Sequence, residues 1–227
     1  MRPVKDEIET AGYALLPGFI VLDQLGALRN EVDRLLRESA TRGGVRNVLG
    51  KSKLLRELAD GGAPWRAAEA ILGPAVRPTK LTVFEKAARS NWKVPFHQDL
   101  TISVSHRCDL PGYGPWSVKD GIQHVQPPLA VLQRVIAVRL HLDETPAGNG
   151  ALRVLPGTHK LGRISRDRIA SLRRQIPEAA CPLPAGGAML MSPLLLHASS
   201  PAATPSHRRV LHFEYSDAAL PDDLHWA

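Results

Sequence analysis

From about Thr79 onward, the sequence consists of short apolar or alternating runs separated by turn-forming residues. The runs are TKLTVFEK, RVIAVRLHLD, GALRVLPG, GGAMLMSP and RRVLHFEY, punctuated by glycine, proline, asparagine and aspartate. Such runs are typical of β-strands. No helical stretch of regular length connects them, as successive parallel strands would require. The pattern therefore predicts an antiparallel barrel or jelly roll and argues against a doubly wound parallel sheet.

The first third of the chain is patterned as helices instead. After Asp23, a candidate N-cap, apolar residues recur at helical spacing as far as Leu36. Two shorter helical patterns follow, SKLLRELADG with Ser52 as its cap, and PWRAAEAILG with Pro64 just inside its start and Gly73 past its end. These helices need a surface to cover, and the predicted strands supply one.

The chain is long enough for one domain with a substantial core, since it has 227 residues of which 44% are hydrophobic. We expect a single domain over residues 1–227, with a helical part at 1–78 packed on a jelly-roll core at 79–217. Residues 101–133 fit neither class, because they include the irregular stretch LPGYGPWSVKDGIQHVQPP. Connections of this length are often lids or binding loops, so we expect a lid here, with a functionless insertion as the alternative.

The composition limits the expected location and partners. No apolar run approaches the roughly 20 residues that span a bilayer. The opening MRPVKDEIET lacks the apolar segment of a secretory signal, and Cys108 and Cys181 are too few for a disulfide framework. We therefore expect a cytoplasmic protein without a membrane segment.

Nucleic acid is not an expected partner, although the net charge is +7. The arginines are spread along the chain, and no basic block is interleaved with aromatic residues. The densest basic stretch, Arg163–Gln175, is interpreted as a solvated helix face, with a contact for an anionic substrate tail as the alternative.

The stretch VPFHQDL places His97 and Asp99 two residues apart in a run typical of a strand. Because side chains alternate along a strand, these two project to the same side and Gln98 projects to the other. Two such residues can chelate one ion. An isolated His-x-Asp is nevertheless more often an ordinary structural hydrogen bond, so this motif alone does not predict a metal.

Further support comes from the stretch GGAMLMSPLLLHASSPAATPSHRRVLHFEY. His197 ends its apolar run, and two arginines begin the next strand pattern. Two histidines and a carboxylate on one face form the facial triad of non-haem iron(II) oxygenases, which leaves open positions on the metal. A cosubstrate with a remote carboxylate then needs a fixed cation, a role suited to arginine. We assign that role to Arg208, with Arg209 as the alternative if the strand register is shifted by one residue.

On these residues the sequence resembles the phytanoyl-CoA dioxygenase family, a branch of the iron(II)/2-oxoglutarate-dependent oxygenases with a double-stranded β-helix core. The segments that carry the resemblance are GYALLPGFI, NWKVPFHQDLT, LHLDETPAGNGALRVLPGTHKLG and SPLLLHASSPA followed by RR. The resemblance implies iron ligands at His97, Asp99 and His197, the 2-oxoglutarate arginine at Arg208, and a cosubstrate contact at Ser199. It implies iron(II), 2-oxoglutarate and O2 as cofactors, and hydroxylation of a small molecule with release of succinate and CO2.

Arg139 departs from the pattern, because some members of the family carry a tryptophan at this strand position, beside the cosubstrate. We expect Arg139 to contact 2-oxoglutarate or a substrate carboxylate. It shares a strand face with His141, and an inward-facing Arg139 would need an anionic partner. A pair that faces solvent is the alternative.

The substrate itself is not specified by the resemblance. Trp116, His124 and Gln126, in the expected lid, are the candidate substrate contacts, with packing of the lid as the alternative role. Together with Arg139, their polarity indicates a small polar or anionic substrate.

Several reaction outcomes are compatible with these residues. Related halogenases lack the carboxylate ligand, so Asp99 argues against halogenation, whereas desaturation, epimerisation and cyclisation stay open. Two other classes of protein are considered: a jelly-roll binding protein without turnover, which the complete triad disfavours, and a cupin-like metal isomerase that needs neither O2 nor 2-oxoglutarate.

Overall fold

The computed structural model describes residues 2–39, 43–86, 91–202, 207–221 and 223–227. In these ranges the helices α1 to α6 span Arg2–Ala11, Asp23–Glu38, Lys53–Gly61, Ala63–Leu72, Leu129–Leu132 and Arg166–Gln175. The strands β1 to β13 span Tyr13–Leu16, Gly44–Val45, Arg77–Lys86, Val94–His97, Ile102–Val104, Trp116–Lys119, Ile122–Val125, Val135–His141, Leu152–Val154, Ala179–Cys181, Ala188–Met191, His197–Ser199 and Arg208–Ser216.

The strands form three antiparallel sheets. A six-stranded sheet has the order β1-β11-β8-β13-β3-β2, a four-stranded sheet has the order β10-β9-β12-β4, and a three-stranded sheet has the order β5-β7-β6. Every predicted strand run contributes one strand. The prediction of a mainly β jelly roll with a helical layer is thus confirmed.

The large sheet has an apolar outer face because its strands alternate. On β13, the side chains of Leu211, Phe213 and Tyr215 belong to the same buried cluster as residues of helices α2, α3 and α4. The β8 side chains Ile136 and Val138 join them. Each such side chain contributes about 1.5–3 kcal/mol when fully buried. The intervening residues of β8 and β13 therefore point into the opposite, inner side of the sheet.

The helix signals in the sequence are only partly realised. The Ser52 hydroxyl accepts a hydrogen bond from the N–H of Leu55 at 3.2 Å, and α4 has Pro64 in its first turn and Gly73 as its C-cap. Asp23 was expected as an N-cap, but it is the first helical residue of α2, and no side chain caps that helix. Its carboxylate lies in the first turn, where the helix dipole favours negative charge.

The segment 1–78 is not purely helical, because it adds two strands to the large sheet. β1 pairs with β11 and covers its edge, while β2 pairs with β3. Both strands are short, so neither has the length over which an alternating pattern becomes visible.

Residues 101–133 are more regular than expected, since they hold β5, β6, β7 and α5. The turn between β6 and β7 is Asp120-Gly121, with φ angles of 49° and 80°. Positive φ at both central residues is what a type I′ hairpin turn requires, and Asp-Gly is a preferred pair for it. The Asp-Gly pair was therefore a sequence signal for a hairpin, although the glycine- and proline-rich residues around it are typical of an irregular loop.

Most of the basic stretch Arg163–Gln175 forms α6, which begins at Arg166 and whose arginines are exposed. One of them, Arg173, pairs with Glu178 at 2.9 Å and lies over the ring of Phe96. This arrangement fits a solvated helix face.

No helix in the described ranges combines the length and the apolar character needed to cross a membrane.

Candidate metal centre

Two paired strands bring the predicted ligands together. His97 ends β4 and His197 begins β12, and the two lie directly opposite each other in the antiparallel register, with ring centroids 4.2 Å apart. Asp99 follows β4, and its N–H donates to the carbonyl of Pro193, in the turn before β12, at 2.8 Å. The two segments therefore hold all three side chains at one point.

The three potential ligand atoms have the spacing that a single ion can bridge. Nε2 of His97 lies 3.7 Å from one Asp99 oxygen, and Nε2 of His197 lies 3.6 Å from the other. One ligand atom from each residue lies within 4.8 Å of the other two. Metal–ligand bonds of about 2.0–2.2 Å are compatible with such separations.

Both histidines are oriented by the backbone two residues earlier. Nδ1 of His97 lies 2.9 Å from the carbonyl of Pro95, and Nδ1 of His197 lies 2.9 Å from the carbonyl of Leu195. A carbonyl only accepts, so each Nδ1 carries a hydrogen, and in the neutral form of either ring the lone pair is then on Nε2. This is the tautomer that binds a metal through Nε2.

The charges of the three residues also suit a cation. Burial lowers the pKa of His197 to about 4, so its ring is neutral at pH 7. Burial alone would raise the pKa of Asp99, but His197, His212, His97 and Lys80 together hold it well below its usual range. The site therefore offers one carboxylate and neutral imidazole nitrogen, a ligand set that suits a divalent transition metal.

Gln98 faces away from this site, as predicted. Its side-chain amide donates to the carbonyls of Gly162 and Leu194 and accepts from the N–H of Ile164. These bonds connect the loops behind β4, so Gln98 has a structural role.

The three residues open into a cavity of about 280 Å³, which is lined by both larger sheets and by the β6–β7 hairpin. The cationic side chains in its wall are Arg46, Lys80, Lys86, Lys119, Arg139 and Arg208, and the carboxylates are Glu85, Asp99 and Glu214.

Arg208, Lys86 and Ser199 form one end of this cavity. Arg208 and Lys86 are cross-strand partners, and Arg208 donates to the carbonyl of Gly150. The Ser199 hydroxyl donates to the same carbonyl at 3.0 Å and accepts from Lys86 Nζ at 2.7 Å. In the described residues, no carboxylate lies within 4 Å of either cation. Burial, followed by the charge of Arg139, lowers the pKa of Arg208 to about 10.

Arg139 belongs to a polar chain on the inner face of the large sheet. Its Nη1 donates to Nδ1 of His212 at 3.0 Å, which leaves the hydrogen of His212 on Nε2, 3.4 Å from Glu214. Glu214 in turn pairs with Lys80 at 2.6 Å. The solvent-facing alternative for Arg139 is not observed, since Arg139 and His141 are buried. The direct partner of Arg139 is an imidazole, although an anion was expected.

Arg209 lies on the outer side of the sheet. Its guanidinium contacts Asp143 and Asp33, each at 2.8 Å. The structure therefore places Arg208, and not Arg209, in the cavity.

Of the three candidate substrate contacts, one lines the cavity and two do not. His124 is buried in the cavity wall. Trp116 packs in the apolar cluster beneath the hairpin and lies near Arg107, while Gln126 uses its backbone to pair with Gly114 and Pro115. Neither Trp116 nor Gln126 lines the cavity.

Several wall residues were missed by the sequence analysis, notably Lys80, Lys86, His212 and Glu214. A signal for two of them existed, because His212 and Glu214 continue the period-two series that begins at Arg208. The lysines alternate in the same way on β3, but only the cross-strand register shows that they face Arg208 and Glu214.

Comparison with known structures agrees with this fold. The epimerase SnoN of nogalamycin biosynthesis, in complex with Fe3+, α-ketoglutarate and nogalamycin RO, superposes with a TM-score of 0.75 at 19% identity, covering 96% of this chain and 83% of SnoN. The α-ketoglutarate-dependent carbocyclase SnoK gives 0.72 at 17% identity, with coverage of 96% and 84%. EctD from S. alaskensis, with 2-oxoglutarate and 5-hydroxyectoine, gives 0.73 at 19% identity, with coverage of 95% and 76%. At these identities, the likeness shows a shared fold.

The family is identified by comparison of the sequence with family models. No curated protein sequence matches the chain. The family model described as phytanoyl-CoA dioxygenase matches residues 8–210, which is most of the chain. The chain therefore belongs to the phytanoyl-CoA dioxygenase family of iron(II)- and 2-oxoglutarate-dependent oxygenases.

Proposed function

We propose that this oxygenase hydroxylates a small polar or anionic metabolite and converts 2-oxoglutarate to succinate and CO2. The observation that carries the proposal is one cavity that holds both a three-ligand metal site and Arg208, a buried cation without a carboxylate partner among the described residues. A buried cation is normally paired. Its missing counter-charge is what an acidic cosubstrate would supply.

His97, Asp99 and His197 would hold the iron. Two imidazole nitrogens and one carboxylate fit iron(II) and leave positions for the cosubstrate and O2. When bound, the iron supplies the redox activation of O2, a chemistry that amino-acid side chains do not provide. The protein's part is to fix both imidazole rings through the carbonyls of Pro95 and Leu195 and to keep Asp99 ionised.

We place the far carboxylate of 2-oxoglutarate on Arg208, with Ser199 and Lys86 as further donors. The lysine ammonium has three hydrogens and contacts Ser199 Oγ and the carbonyl of Ser200, which leaves one hydrogen for a ligand. Arg139, the third cation near this end, would complete the charge balance or contact the substrate. The arginine fork would fix the direction of the cosubstrate towards the metal.

The proposed reaction is balanced in oxygen. One atom of O2 enters the carboxylate of succinate as 2-oxoglutarate loses CO2, and the other enters a substrate C–H bond as a hydroxyl group. Asp99 favours this outcome over halogenation, since it fills the position that a halide would need.

His124 is the candidate substrate contact that we retain, because it lines the cavity, while we assign Trp116 and Gln126 to the support of the hairpin. Epimerisation and ring formation form the second candidate outcome, because the enzymes SnoN and SnoK that share this fold are named for them. We propose a cytoplasmic location, which the two free cysteines fit.

The test is aerobic incubation of the purified protein with iron(II), 2-oxoglutarate and a panel of small metabolites. We expect an iron-dependent absorption on adding 2-oxoglutarate, and succinate release that a substrate stimulates. If neither occurs with any compound, a binding protein without turnover is the better description. Turnover that needs neither O2 nor 2-oxoglutarate would instead indicate a metal isomerase.

A further inference from the structure

A second cationic cluster lies at the far end of the cavity from Arg208. On β3, Lys86 is opposite Arg208 and Lys80 is opposite Glu214, in one continuous register. The two lysines are six positions apart, which corresponds to about 20 Å along an extended strand. The two ends of the cavity are therefore distinct sites. The metal ligand His197 lies two residues along β12 from Ser199, which contacts Lys86 at the Arg208 end.

The second cluster consists of Lys80, Lys119 and Arg46, and we call it the rim cluster. Two of its charges are paired, because Lys80 contacts Glu214 at 2.6 Å and Arg46 contacts Asp120 at 3.2 Å.

Lys119 is the unpaired member of the rim cluster. Its Nζ has a hydroxyl contact, to Thr101 at 3.4 Å, and no carboxylate within 4 Å in the described part of the chain. Burial, together with the charges of Lys80 and Arg46, lowers its pKa. Lys119 is an exposed residue, and the charges of Asp99 and Glu214 oppose this shift. The end of β6 therefore presents to the cavity a cation without a direct carboxylate partner.

His124 lies near Lys119, on the partner strand of the same hairpin. It is 1% exposed, it lines the same part of the cavity, and its Nδ1 has no hydrogen-bond partner among the described residues. Its Nε2 is 3.5 Å from the Ser103 hydroxyl. That nitrogen is itself buried, so His124 forms part of the polar wall beside Lys119 and is not an open ligand position.

The cosubstrate cannot act as the counter-ion of Lys119. 2-Oxoglutarate is a five-carbon chain that must reach from the metal to Arg208, so it is too short to extend to the rim cluster as well. We propose that the primary substrate carries an anionic group, a carboxylate or a phosphate, that binds Lys119 with His124 beside it. This inference rests on the proposed function and makes Lys119 a specificity-determining residue.

The rim cluster would orient the substrate by its charge. The anionic group, held at the rim, leaves the rest of the molecule to extend towards Asp99 and the metal. A neutral analogue of the same size would lose this anchor, so charge, and not shape alone, would select the substrate.

The first test measures anion binding to the anaerobic protein loaded with iron(II) and saturating 2-oxoglutarate. Calorimetric titration uses inorganic phosphate in one arm and propionate in the other, which separates phosphate from carboxylate recognition. We expect saturable binding of one of them, weakened roughly tenfold or more in Lys119→Gln. Lys53→Gln is the matched control, because Lys53 is an exposed lysine on α3. Absence of saturable binding in both arms, or equal binding in Lys119→Gln, would overturn the inference.

The second test uses the substrate that the succinate screen identifies. Lys119→Gln should raise the KM for that substrate roughly tenfold and leave the KM for the cosubstrate unchanged, and Lys119→Arg should restore the affinity for the substrate. A preferred substrate that is neutral contradicts this inference alone. If the wild-type protein shows no iron-dependent absorption on adding 2-oxoglutarate, the proposed function itself is contradicted. The failure of this inference and the failure of the proposed function are therefore distinguishable.

Discussion

Arg208 and Arg209 are neighbours on β13, but they face opposite sides of the sheet and have opposite electrostatic surroundings. On the outer side, the hydrogen-bonded pair with Asp143, which outweighs burial and is aided by Asp33, raises the pKa of Arg209. On the inner side, burial and Arg139 lower the pKa of Arg208 to about 10. The same side chain is thus stabilised as a cation in one place and destabilised in the other.

The difference separates a structural charge from a functional one. Arg209 has its counter-charges within the protein and joins α2 and the segment after β8 to the sheet. Arg208 instead donates to a neutral acceptor, the carbonyl of Gly150, so its charge is available to a ligand. Because a buried charge without a partner costs free energy, its presence indicates a site where a ligand completes the balance.

The largest effect on activity is expected from substitution of a metal ligand in the cavity. Asp99→Ala removes the carboxylate ligand, so we expect turnover to fall by roughly a thousandfold or more and iron(II) binding to weaken. Succinate formation and equilibrium iron binding are the measurements, with circular dichroism to check the fold. Full activity in this variant would mean that the triad is wrongly assigned.

Arg208→Ala tests the inner arginine directly. We expect the Kd for 2-oxoglutarate to rise roughly a hundredfold, because a buried charge-assisted pair with the cosubstrate is lost. The free energy of unfolding without ligand should change by less than about 1 kcal/mol, because no internal ion pair is broken. Calorimetric binding and urea unfolding measure the two quantities. If the Arg208→Ala variant were strongly destabilised but bound 2-oxoglutarate normally, Arg208 would have the structural role that we assign to Arg209.

Arg209→Ala should show the opposite pattern. Its two ion pairs are lost, so we expect the free energy of unfolding to fall by about 1–3 kcal/mol, reduced somewhat by the exposure of Asp33. The Kd for 2-oxoglutarate should match that of the wild type. If Arg209→Ala weakened 2-oxoglutarate binding and Arg208→Ala did not, Arg209 would be the residue that binds the cosubstrate.

The smallest effect is a pH dependence that arises from Lys86. Burial, followed by Arg208 and Arg139, lowers the pKa of Lys86 from 10.5 to about 8. Between these values the unfolded chain binds the proton that the folded protein has lost, so the stability of the ligand-free protein should rise with pH.

Affinity for 2-oxoglutarate should change in the other direction, by roughly tenfold per pH unit at most, because a neutral Lys86 no longer attracts a carboxylate. Urea unfolding and calorimetry from about pH 7 to about pH 10 would measure both trends, which Lys86→Met should remove. Unchanged trends in that variant would assign the titration to another group.

The strands of the core and the pairing of His97 with Asp99 could be predicted from local sequence patterns. Alternation in RRVLHFEY and RVIAVRLHLD predicts strands because each strand buries one apolar face under the helices. Likewise, His97 and Asp99 can be paired from their spacing alone. His197 is joined to them by the strand register, which the family resemblance supplies and spacing does not.

The charges around the site could not be predicted in the same way. Lys80 and Lys86 resemble ordinary polar positions of a strand, and their proximity to Glu214 and Arg208 depends on pairing across more than a hundred residues of sequence. Trp116 and Gln126 do not line the cavity, because the segment around them forms a hairpin with an apolar cluster of its own. Aromatic and polar composition alone does not distinguish a lid from a small packed unit.

The carboxylates of Asp33 and Asp143 have one more consequence, for folding specificity. Since residues 208 and 209 are identical, a slip of β13 by one residue would still place an arginine at this end of the cavity, so the arginine position alone cannot distinguish the two alignments. The slipped alignment would, however, turn Phe213 and Tyr215 inwards and leave both outer carboxylates without their cation. The outer ion pairs therefore help to fix the register of β13, and they keep Arg208 facing the cavity without contacting the site.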